Sequence, residues 1–571
     1  MLKFLKHHKK ESILAPLFKM LEALFELFVP LIMADIINNG IAAKNTQYIL
    51  NRCGLMILLG LIGLGCSVTA QYFSAKAAVE SCTQIRRDLF NKIQTLGFAE
   101  NDTVGTSTLI TRMTSDVNQL QNGLNMFLRL FLRSPFIVFG AMVMAFTINV
   151  KAALIFVVAI PLLSLVVFGV MLKTMPLYKN VQARLDRLTG ITRENLTGVR
   201  VVRAFGREES ETDRFCSADR ELCSGQLNVG RISALMNPVT YVMINLAVVA
   251  ILNTGAVKVN LGILAAGDVV ALVNYMNQIL LELVKLANLI IQITKAAACS
   301  GRITNILAME PQMQFGSRSV DASAENAVEF SHVSLAYAKS GENSLSDLTF
   351  TVKKGQTIGI IGGTGSGKTS LVSLLPRYYD ATSGSIRIFG RDIRDYDKDA
   401  LRSRVSTVMQ KAQLFSGTIR SNLLWGSQNA DDAALWRALE TAQAAEVVRG
   451  KEKGLDEPVE QGGRNFSGGQ KQRLSIARSL VSNPDILILD DSASALDYAT
   501  DAALRRAIAA LPGNMTVFIV SQRANSISHA DQILVLDEGK LVGIGTHEAL
   551  LASCPVYQDI YNSQFQKTAE A

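Results

Sequence analysis

A glycine-rich stretch in the second half of the chain has the residue types and the spacing needed to hold a phosphate. It reads Gly362-Gly363-Thr364-Gly365-Ser366-Gly367-Lys368-Thr369-Ser370, which fits the P-loop pattern G-x-x-x-x-G-K-[ST]. Glycines let the backbone curl so that successive N–H groups point at one phosphate. In this pattern Lys368 reaches the β- and γ-phosphates, and the Thr369 hydroxyl can ligate Mg²⁺. The stretch predicts a site for ATP with Mg²⁺.

Two later motifs would complete such a site. The run Ile486–Asp490 is apolar and ends in a carboxylate, the Walker B form, so Asp490 can hold Mg²⁺ directly or through water. Between the two lies Ser467-Gly468-Gly469-Gln470, just before an apolar-periodic helix. Ser467 is a good N-cap, and the glycines leave the N–H groups of the helix N-terminus open to an anion. An ordinary helix cap is the simpler interpretation, but the order of the three motifs favours the anion site.

The elements around the P-loop are those that such a loop requires. Thr357–Ile361 has the composition of a buried strand, and Leu371–Leu375 predicts a helix directly after the loop. From Val328 onward strand and helix patterns alternate between turn residues, which is typical of an α/β domain. Residues 311–327 are polar and predict a linker, so we expect an α/β P-loop NTPase domain over residues 328–571.

The first half of the chain has a different composition. Of the 571 residues, 49% are hydrophobic and only 19% are charged, and the first half contains long apolar runs with few charged residues. The net charge of +8 arises from Lys and Arg at the N-terminus and between apolar runs, which favours cytoplasmic loops over a nucleic-acid ligand. The seven cysteines are scattered without a C-x-x-C pair, which argues against a disulfide framework or a zinc site.

Apolar runs of about 20 residues predict membrane-spanning helices. An even number of spans returns the chain to its starting side, and two long polar segments, residues 74–125 and 172–238, carry several arginines that place them in the cytoplasm. We therefore expect a multi-pass protein of the cell inner or plasma membrane, with a transmembrane domain over residues 1–310 and with both termini and the NTPase domain cytoplasmic. The six predicted spans are Ile13–Ile37, Leu50–Phe73, Met126–Ile148, Ala152–Met171, Val239–Val257 and Val269–Ile291.

Polar residues inside two of these spans suggest a route for a substrate. Glu22 and Glu26 share one face of the first span, and Asn274, Gln278 and Glu282 belong to a polar stripe in the sixth. Such residues are costly in hydrocarbon and usually face a cavity. The alternative is hydrogen bonding between helices of a bundle. We favour a water-filled path for the sixth span, and the two interpretations of the first span stay open.

Together these motifs resemble an ABC transporter of the exporter type, specifically a half-transporter with six transmembrane helices fused ahead of its nucleotide-binding domain. The resemblance covers essentially the whole chain, and Ser467–Gln470 is similar to the ABC signature. It implies that Tyr337 stacks on adenine, that Gln410 is the Q-loop glutamine near Mg²⁺, and that Asp497 belongs to the D-loop. A lipid bilayer and a second half-transporter are the implied partners, and small molecules, lipids and peptides all fit as substrates.

The resemblance extends to the two long cytoplasmic segments. Gly105–Asp116 and Gly198–Glu208 look like parts of the family's two cytoplasmic loops. In the family such loops end in coupling helices that dock on the nucleotide-binding domains, the second of them on the domain of the partner.

Two positions depart from the family pattern. Asp491 stands where the family has the glutamate that polarises the attacking water, and Gln522 stands in place of the switch histidine. Aspartate is one methylene shorter, and glutamine cannot take up a proton as histidine can. The resemblance then implies a degenerate ATP site with weak hydrolysis, in one subunit of a heterodimeric exporter of the bacterial multidrug type. The alternatives are a homodimeric exporter with slow ATPase activity and an ATP-gated membrane regulator or sensor.

Overall fold

The computed structural model describes residues 2–5, 8–320, 324–337, 341–492 and 494–565, and the chain divides into two compact units. The first unit comprises Met1–Gln94 and Ser107–Met309, and it is helical. The second comprises Thr95–Thr106 and Glu310–Ala571, and it contains the strands. The tip of the first long polar segment therefore groups with the second unit.

The helices of the first half are long, as runs of apolar residues without turn signals predict. Within the first unit α11 packs against α1, α5, α6, α7 and α10, so it is the central helix. The helices are α1 (Lys9–Asp35), α2 (Thr46–Thr95), α3 (Phe98–Val104), α4 (Thr106–Thr111), α5 (Val117–Leu130), α6 (Arg133–Ile148), α7 (Val150–Thr197), α8 (Val199–Ala204), α9 (Glu208–Ala234), α10 (Met236–Asn260) and α11 (Ala266–Leu307). Short π-helical segments follow α1 (Ile36–Ile41) and α4 (Arg112–Asp116).

Four helical stretches among the described residues are long and apolar enough to cross a membrane: Thr46–Thr95, Thr106–Ile148, Val150–Thr197 and Glu208–Asn260. They contain the second to fifth predicted spans. The first and sixth predicted spans lie in α1 and α11, which are long helices but are not among the four. Charged residues inside both helices lower their hydropathy, so these two spans stay predictions.

A turn interrupts the third predicted span, which lies within the candidate stretch Thr106–Ile148. A turn at residues 131–132 separates α5 from α6. The cause is Pro135 in the first turn of α6, because a proline lacks the N–H of a helix interior and its ring clashes with the carbonyl four residues earlier, here that of Phe131. The break places Arg133 at the start of α6.

The second unit is the predicted α/β domain. Its strands are β1 (Asn326–Leu335), β2 (Leu345–Lys353), β3 (Thr357–Gly362), β4 (Ser383–Ile388), β5 (Arg391–Asp392), β6 (Val405–Val408), β7 (Gly417–Thr418), β8 (Pro458–Val459), β9 (Ile486–Asp490), β10 (Thr516–Val520), β11 (Gln532–Asp537) and β12 (Lys540–Gly545). Its helices are α12 (Lys368–Leu374), α13 (Lys398–Arg404), α14 (Ile419–Leu423), α15 (Asp432–Thr441), α16 (Ala445–Arg449), α17 (Gly468–Val481), α18 (Tyr498–Ala509), α19 (His547–Ser553) and α20 (Pro555–Phe565).

Two sheets of this unit position the phosphate-binding motifs. The larger has the strand order β12-β11-β3-β10-β9-β6, and β11, β3, β10, β9 and β6 run parallel. The five residues of β9 are all buried, which fits the continuous apolar run expected of a central parallel strand. Since the carboxyl ends of parallel strands meet at one edge, the residues after β3, β9 and β10 are brought together there. The smaller sheet is antiparallel, in the order β2-β1-β4-β5.

Candidate functional site: the nucleotide-binding edge of the sheet

The P-loop connects β3 to α12, which confirms the strand–loop–helix context predicted from sequence. Gly367 caps α12 with φ +93°, a conformation that side-chain-bearing residues rarely adopt. A Cβ at this position would lie 2.6 Å from Cδ2 of Leu345 and 2.8 Å from the carbonyl oxygen of Ser344. Both the dihedral angle and the space therefore require glycine at the turn into the helix.

The Lys368 side chain folds back over the loop. Its Nζ donates to the carbonyl oxygens of Gly362 at 3.0 Å and Gly363 at 2.6 Å, and it lies 3.4 Å from Oγ of Ser366. Burial lowers the pKa of Lys368, although Asp490 and Asp491 act in the opposite direction. A phosphate oxygen would be a stronger, charge-assisted acceptor than these carbonyls. The ammonium group is thus positioned for an anion held by the loop.

Thr369 and Asp490 form an oxygen pair suited to a hard cation. The Thr369 hydroxyl donates to Oδ1 of Asp490 at 3.1 Å. Burial at the end of β9 raises the pKa of Asp490, and the Asp491 charge adds to this effect. Such a carboxylate gains from a nearby positive charge, and Mg²⁺ prefers hydroxyl and carboxylate oxygens together with phosphates and water. The donor set therefore fits Mg²⁺ held between Thr369, Asp490 and nucleotide phosphates.

The two positions that depart from the family pattern follow adjacent strands. Asp491 directly follows β9, with φ +47°, and its N–H donates to the carbonyl oxygen of Val520 at 3.1 Å. Its Oδ2 accepts a hydrogen bond from Nε2 of Gln410 at 3.1 Å. Gln522 follows β10; it is exposed, and its carbonyl oxygen accepts from Nε2 of Gln564 at 2.7 Å. The structure thus joins Asp491 to the Q-loop position, a contact that no local pattern in the sequence predicts.

Ser467 and Asp497 are helix caps on exposed turns. The Ser467 hydroxyl accepts from the N–H of Gln470 at 3.3 Å, and Oε1 of Gln470 accepts from the N–H of Ser467 at 3.0 Å. This reciprocal capping box begins α17 and confirms the predicted N-cap. Asp497 caps α18 through the N–H of Thr500 at 2.8 Å, and this bond lowers the pKa of Asp497. The signature residues Ser467 and Gly468 are exposed on this turn.

Tyr337 lies just beyond the end of β1, beside the P-loop helix. Its hydroxyl donates to Oγ of Ser370 at 3.0 Å. Its ring and that of Tyr379 form a T-shaped pair, with centroids 5.0 Å apart and planes at 88°. The contact with Ser370, the last residue of the P-loop pattern, brings the expected adenine-stacking residue to the phosphate-binding element.

The acidic residues of the predicted spans take part in ion pairs that the sequence analysis missed. Arg133 is buried between Glu282, at 2.7 Å, and Glu26, at 2.6 Å. The Ser134 hydroxyl donates to Glu282 at 2.8 Å, and Lys285 contacts the same carboxylate at 2.8 Å. This cluster joins α1, α6 and α11, and Glu282 is only 1% exposed. The signal for it was a pair of arginines, Arg129 and Arg133, inside an otherwise apolar predicted span.

The other predicted path residues differ in their surroundings. Glu22 pairs with Lys19 at 2.5 Å, one turn earlier on α1. Asn274 is exposed on α11. The Oε1 atom of Gln278 is buried and, within the described part of the chain, accepts no hydrogen bond. The arrangement favours helix packing for Glu282, and a contact of Asn274 or Gln278 with a substrate stays a prediction.

Comparison with known proteins agrees with both units. Residues 12–283 match the family described as the ABC transporter transmembrane region, and residues 345–494 match that described as ABC transporter. The chain is 36% identical over 565 residues to the uncharacterized ABC transporter ATP-binding protein YfiB of Bacillus subtilis (strain 168), covering 99% of this chain and 98% of the relative. It is 30% identical over 565 residues to the ATP-dependent lipid A-core flippase of Bordetella avium (strain 197N), covering 98% and 95% of the two chains.

A solved structure shares the fold. It is described as a bacterial Atm1-family ABC exporter with ATP bound, and it aligns with a TM-score of 0.80 over 98% of each chain. At 22% sequence identity this likeness concerns the architecture alone. It covers both the helical half and the nucleotide-binding half.

Proposed function

The chain belongs to the ABC transporter family as an exporter-type half-transporter, a multi-pass membrane protein with an ATP-binding domain, and from this premise we propose that it works as one subunit of a heterodimer. In this proposal its own Walker site binds ATP with Mg²⁺ and hydrolyses it slowly. Its signature motif completes the faster site on the partner. Both subunits together export a substrate across the cell membrane.

The observation that carries the proposal is the environment of Asp491. Its carboxylate is one methylene short of the expected glutamate and accepts the Gln410 amide at 3.1 Å. A displacement of about 1 Å at a reacting centre can cost roughly 100-fold in rate. Gln522, in the histidine position, has no titratable group. The groups that hold phosphate and Mg²⁺, Lys368, Thr369 and Asp490, are all present, so binding is retained while hydrolysis is impaired.

The signature motif of this chain is intact, which supports a partner whose own ATP site hydrolyses ATP faster. Ser467 caps α17 on an exposed turn, and the glycines that follow it leave backbone N–H groups accessible to an anion. In a composite site these groups would close over ATP bound to the other subunit. We therefore propose a second half-transporter that carries glutamate and histidine at the two altered positions.

For the membrane domain we propose that both termini, the two long polar segments and the nucleotide-binding domain face the cytoplasm. The substrate path would follow the polar face of α11, with Asn274 and Gln278 as contacts. Lipids, small molecules and peptides all suit such a face. Among these substrate classes the similarity to a lipid A-core flippase favours a lipid.

The partner proposal is tested by isolating the tagged, full-length chain from native membranes under mild detergent and identifying what accompanies it. The expected result is a second half-transporter with glutamate after its Walker B aspartate and with the switch histidine. Isolation of homodimers that hydrolyse ATP at the rate of ordinary exporters would overturn the heterodimer.

A further inference from the structure

The tandem tyrosines after α12 connect the tip of the first cytoplasmic segment to the nucleotide site. We propose that Asp102 and Tyr379 are positioning residues that set the orientation of Tyr337, and that through them α3 responds to the base of the bound nucleotide. We name this the Asp102–Tyr379–Tyr337 relay. It rests on the proposed function, in which this chain's own Walker site binds ATP, and on the stacking of Tyr337 on adenine that the family resemblance implies.

The first link of the relay is a hydrogen bond between the Tyr379 hydroxyl and the Asp102 carboxylate. The hydroxyl donates to Oδ2 at 2.5 Å, in the range of short, charge-assisted O–H···O⁻ bonds. Burial raises the pKa of Tyr379, and the Asp102 carboxylate raises it further. The hydroxyl therefore stays protonated and keeps donating throughout the physiological pH range.

The second link is the contact between two rings. The ring of Tyr379 meets that of Tyr337 edge to face, at 5.0 Å and 88°, an arrangement that aromatic pairs prefer. The Tyr337 hydroxyl is held at its other end by Ser370, at 3.0 Å. Tyr337 is thus fixed at one end by the P-loop helix and along its ring by Tyr379. A change in its tilt must move Tyr379 or lose this contact.

The helix α3 belongs to the second unit and packs on the residues beside the tyrosines, so a movement of Tyr379 can displace it. Phe98 stacks on Tyr378, with centroids 4.4 Å apart and planes at 29°. Glu100 is buried, and its Oε1 accepts the N–H of Gln312 at 2.9 Å. These contacts anchor the start and the middle of α3, and Asp102 lies toward its end.

Space beside the rings allows the relay to move. A cavity of about 340 Å³ lies next to both tyrosines, and it is bordered by α3 and by the start of the linker. A ring in a close-packed core cannot change its tilt without moving its neighbours, whereas a ring that borders a cavity can. Its walls include Glu100, Asp102, Gln312, Met313, Tyr337 and Tyr379.

The relay predicts that changes at Tyr379 or Asp102 weaken binding of the adenine base and leave binding of the phosphates unchanged. Dissociation constants are measured for the full-length chain in lipid nanodiscs, with ATP and with inorganic tripolyphosphate, which engages only the P-loop. Tyr379→Phe keeps the ring and removes the hydroxyl. We expect ATP to bind at least about 5-fold more weakly, the lower end of usual couplings between sites, with tripolyphosphate unchanged. Tyr378→Phe removes the neighbouring hydroxyl, leaves the stack on Phe98, and serves as the matched control with unchanged constants.

The acceptor end is tested separately. Asp102→Ala should weaken ATP binding as Tyr379→Phe does, whereas Asp102→Asn, whose amide oxygen still accepts the hydroxyl, should restore most of the affinity. In a Tyr337→Ala background Tyr379→Phe should have no further effect, because the two changes act through one contact. Equal losses from Asp102→Ala and Asp102→Asn, or additive losses with Tyr337→Ala, would contradict the relay.

Hydrogen exchange of the α3 backbone amides tests whether α3 responds to the bound nucleotide. ATP should change their exchange in the unmodified chain, whereas tripolyphosphate should not, and Tyr379→Phe should abolish the ATP effect. If Tyr379→Phe retains normal ATP affinity and a normal exchange response while Tyr337→Ala weakens ATP binding, the relay is wrong and the assignment of Tyr337 survives. If Tyr337→Ala leaves ATP affinity unchanged, the relay and that assignment both fail.

Discussion

The ion cluster around Arg133 allows one perturbation to be worked out in detail. Glu282→Ala removes a carboxylate whose side chain is 2% exposed and which pairs with the Arg133 guanidinium at 2.7 Å. Removing one partner of a buried pair typically costs about 3–5 kcal/mol, because the other charge stays buried. Glu26 still contacts Arg133 at 2.6 Å, so we expect the lower end of this range.

A neighbouring residue provides the matched control. Lys285 contacts the same carboxylate at 2.8 Å, but its own side chain is 47% exposed. Exposed ion pairs contribute about 0–1 kcal/mol, so Lys285→Ala should change stability little. The double variant Arg133→Met with Glu282→Leu removes both buried charges and should recover much of the loss.

The assay is thermal unfolding of the full-length chain in one detergent, with nucleotide absent. A loss of about 3 kcal/mol should lower the apparent melting temperature by roughly 5 °C, because a unit of about 300 residues has an unfolding entropy of about 0.6 kcal/mol/K. Lys285→Ala should lower it by no more than about 2 °C, for a loss of at most about 1 kcal/mol. Equal shifts for Glu282→Ala and Lys285→Ala, or normal stability of both with altered substrate preference, would refute the packing argument and return Glu282 to the substrate path.

Three further predictions follow from other parts of the chain. Single cysteines at Thr46 should react with an impermeant reagent from outside the cell, and those at Arg207 should not; the reverse labelling would invert the topology. Gln278→Ala should change substrate preference or substrate-stimulated ATPase activity with little loss of folding, and failure to assemble would assign it to helix packing. Burial raises the pKa of Asp116, but hydrogen bonds led by that of Arg302 outweigh it and hold the pKa below its usual value, so this carboxylate stabilises the fold above its unfolded pKa. That stability is lost as the pH falls through the folded pKa. Asp116→Asn should therefore make the melting temperature depend less on pH in the acid range. An unchanged pH dependence would contradict this role of Asp116.

Local patterns in the sequence predicted the secondary structure around the nucleotide-binding motifs. The P-loop, the Walker B strand and the cap of α17 depend on residues within a few positions of one another, and glycine or serine is required there by backbone geometry. The strand before Gly362 and the helix after Lys368 confirm that interpretation. The family resemblance followed from the order of these motifs, and the two-part organisation followed from the change in composition between the two halves.

Contacts between distant residues could not be read from the sequence in the same way. Arg133 and Glu282 are 149 positions apart, and Asp102 and Tyr379 are 277 apart. No periodicity relates such pairs, so the buried ion cluster and the relay became visible only in the folded chain. The turn before α6 had a local signal, because Pro135 lies within the third predicted span.

The central claim is that the two ATP sites of the exporter are unequal, and steady-state ATPase activity of the reconstituted pair tests it most directly. Asp491→Ala in this chain should lower activity far less than glutamine in place of the partner's catalytic glutamate. Ser467→Ala in this chain should be as damaging as that partner change, because the two groups meet at the same nucleotide. The chain purified alone should show little activity. If Asp491→Ala abolishes hydrolysis as completely as the loss of the partner's glutamate, the two sites are equivalent and the degenerate-site account is wrong.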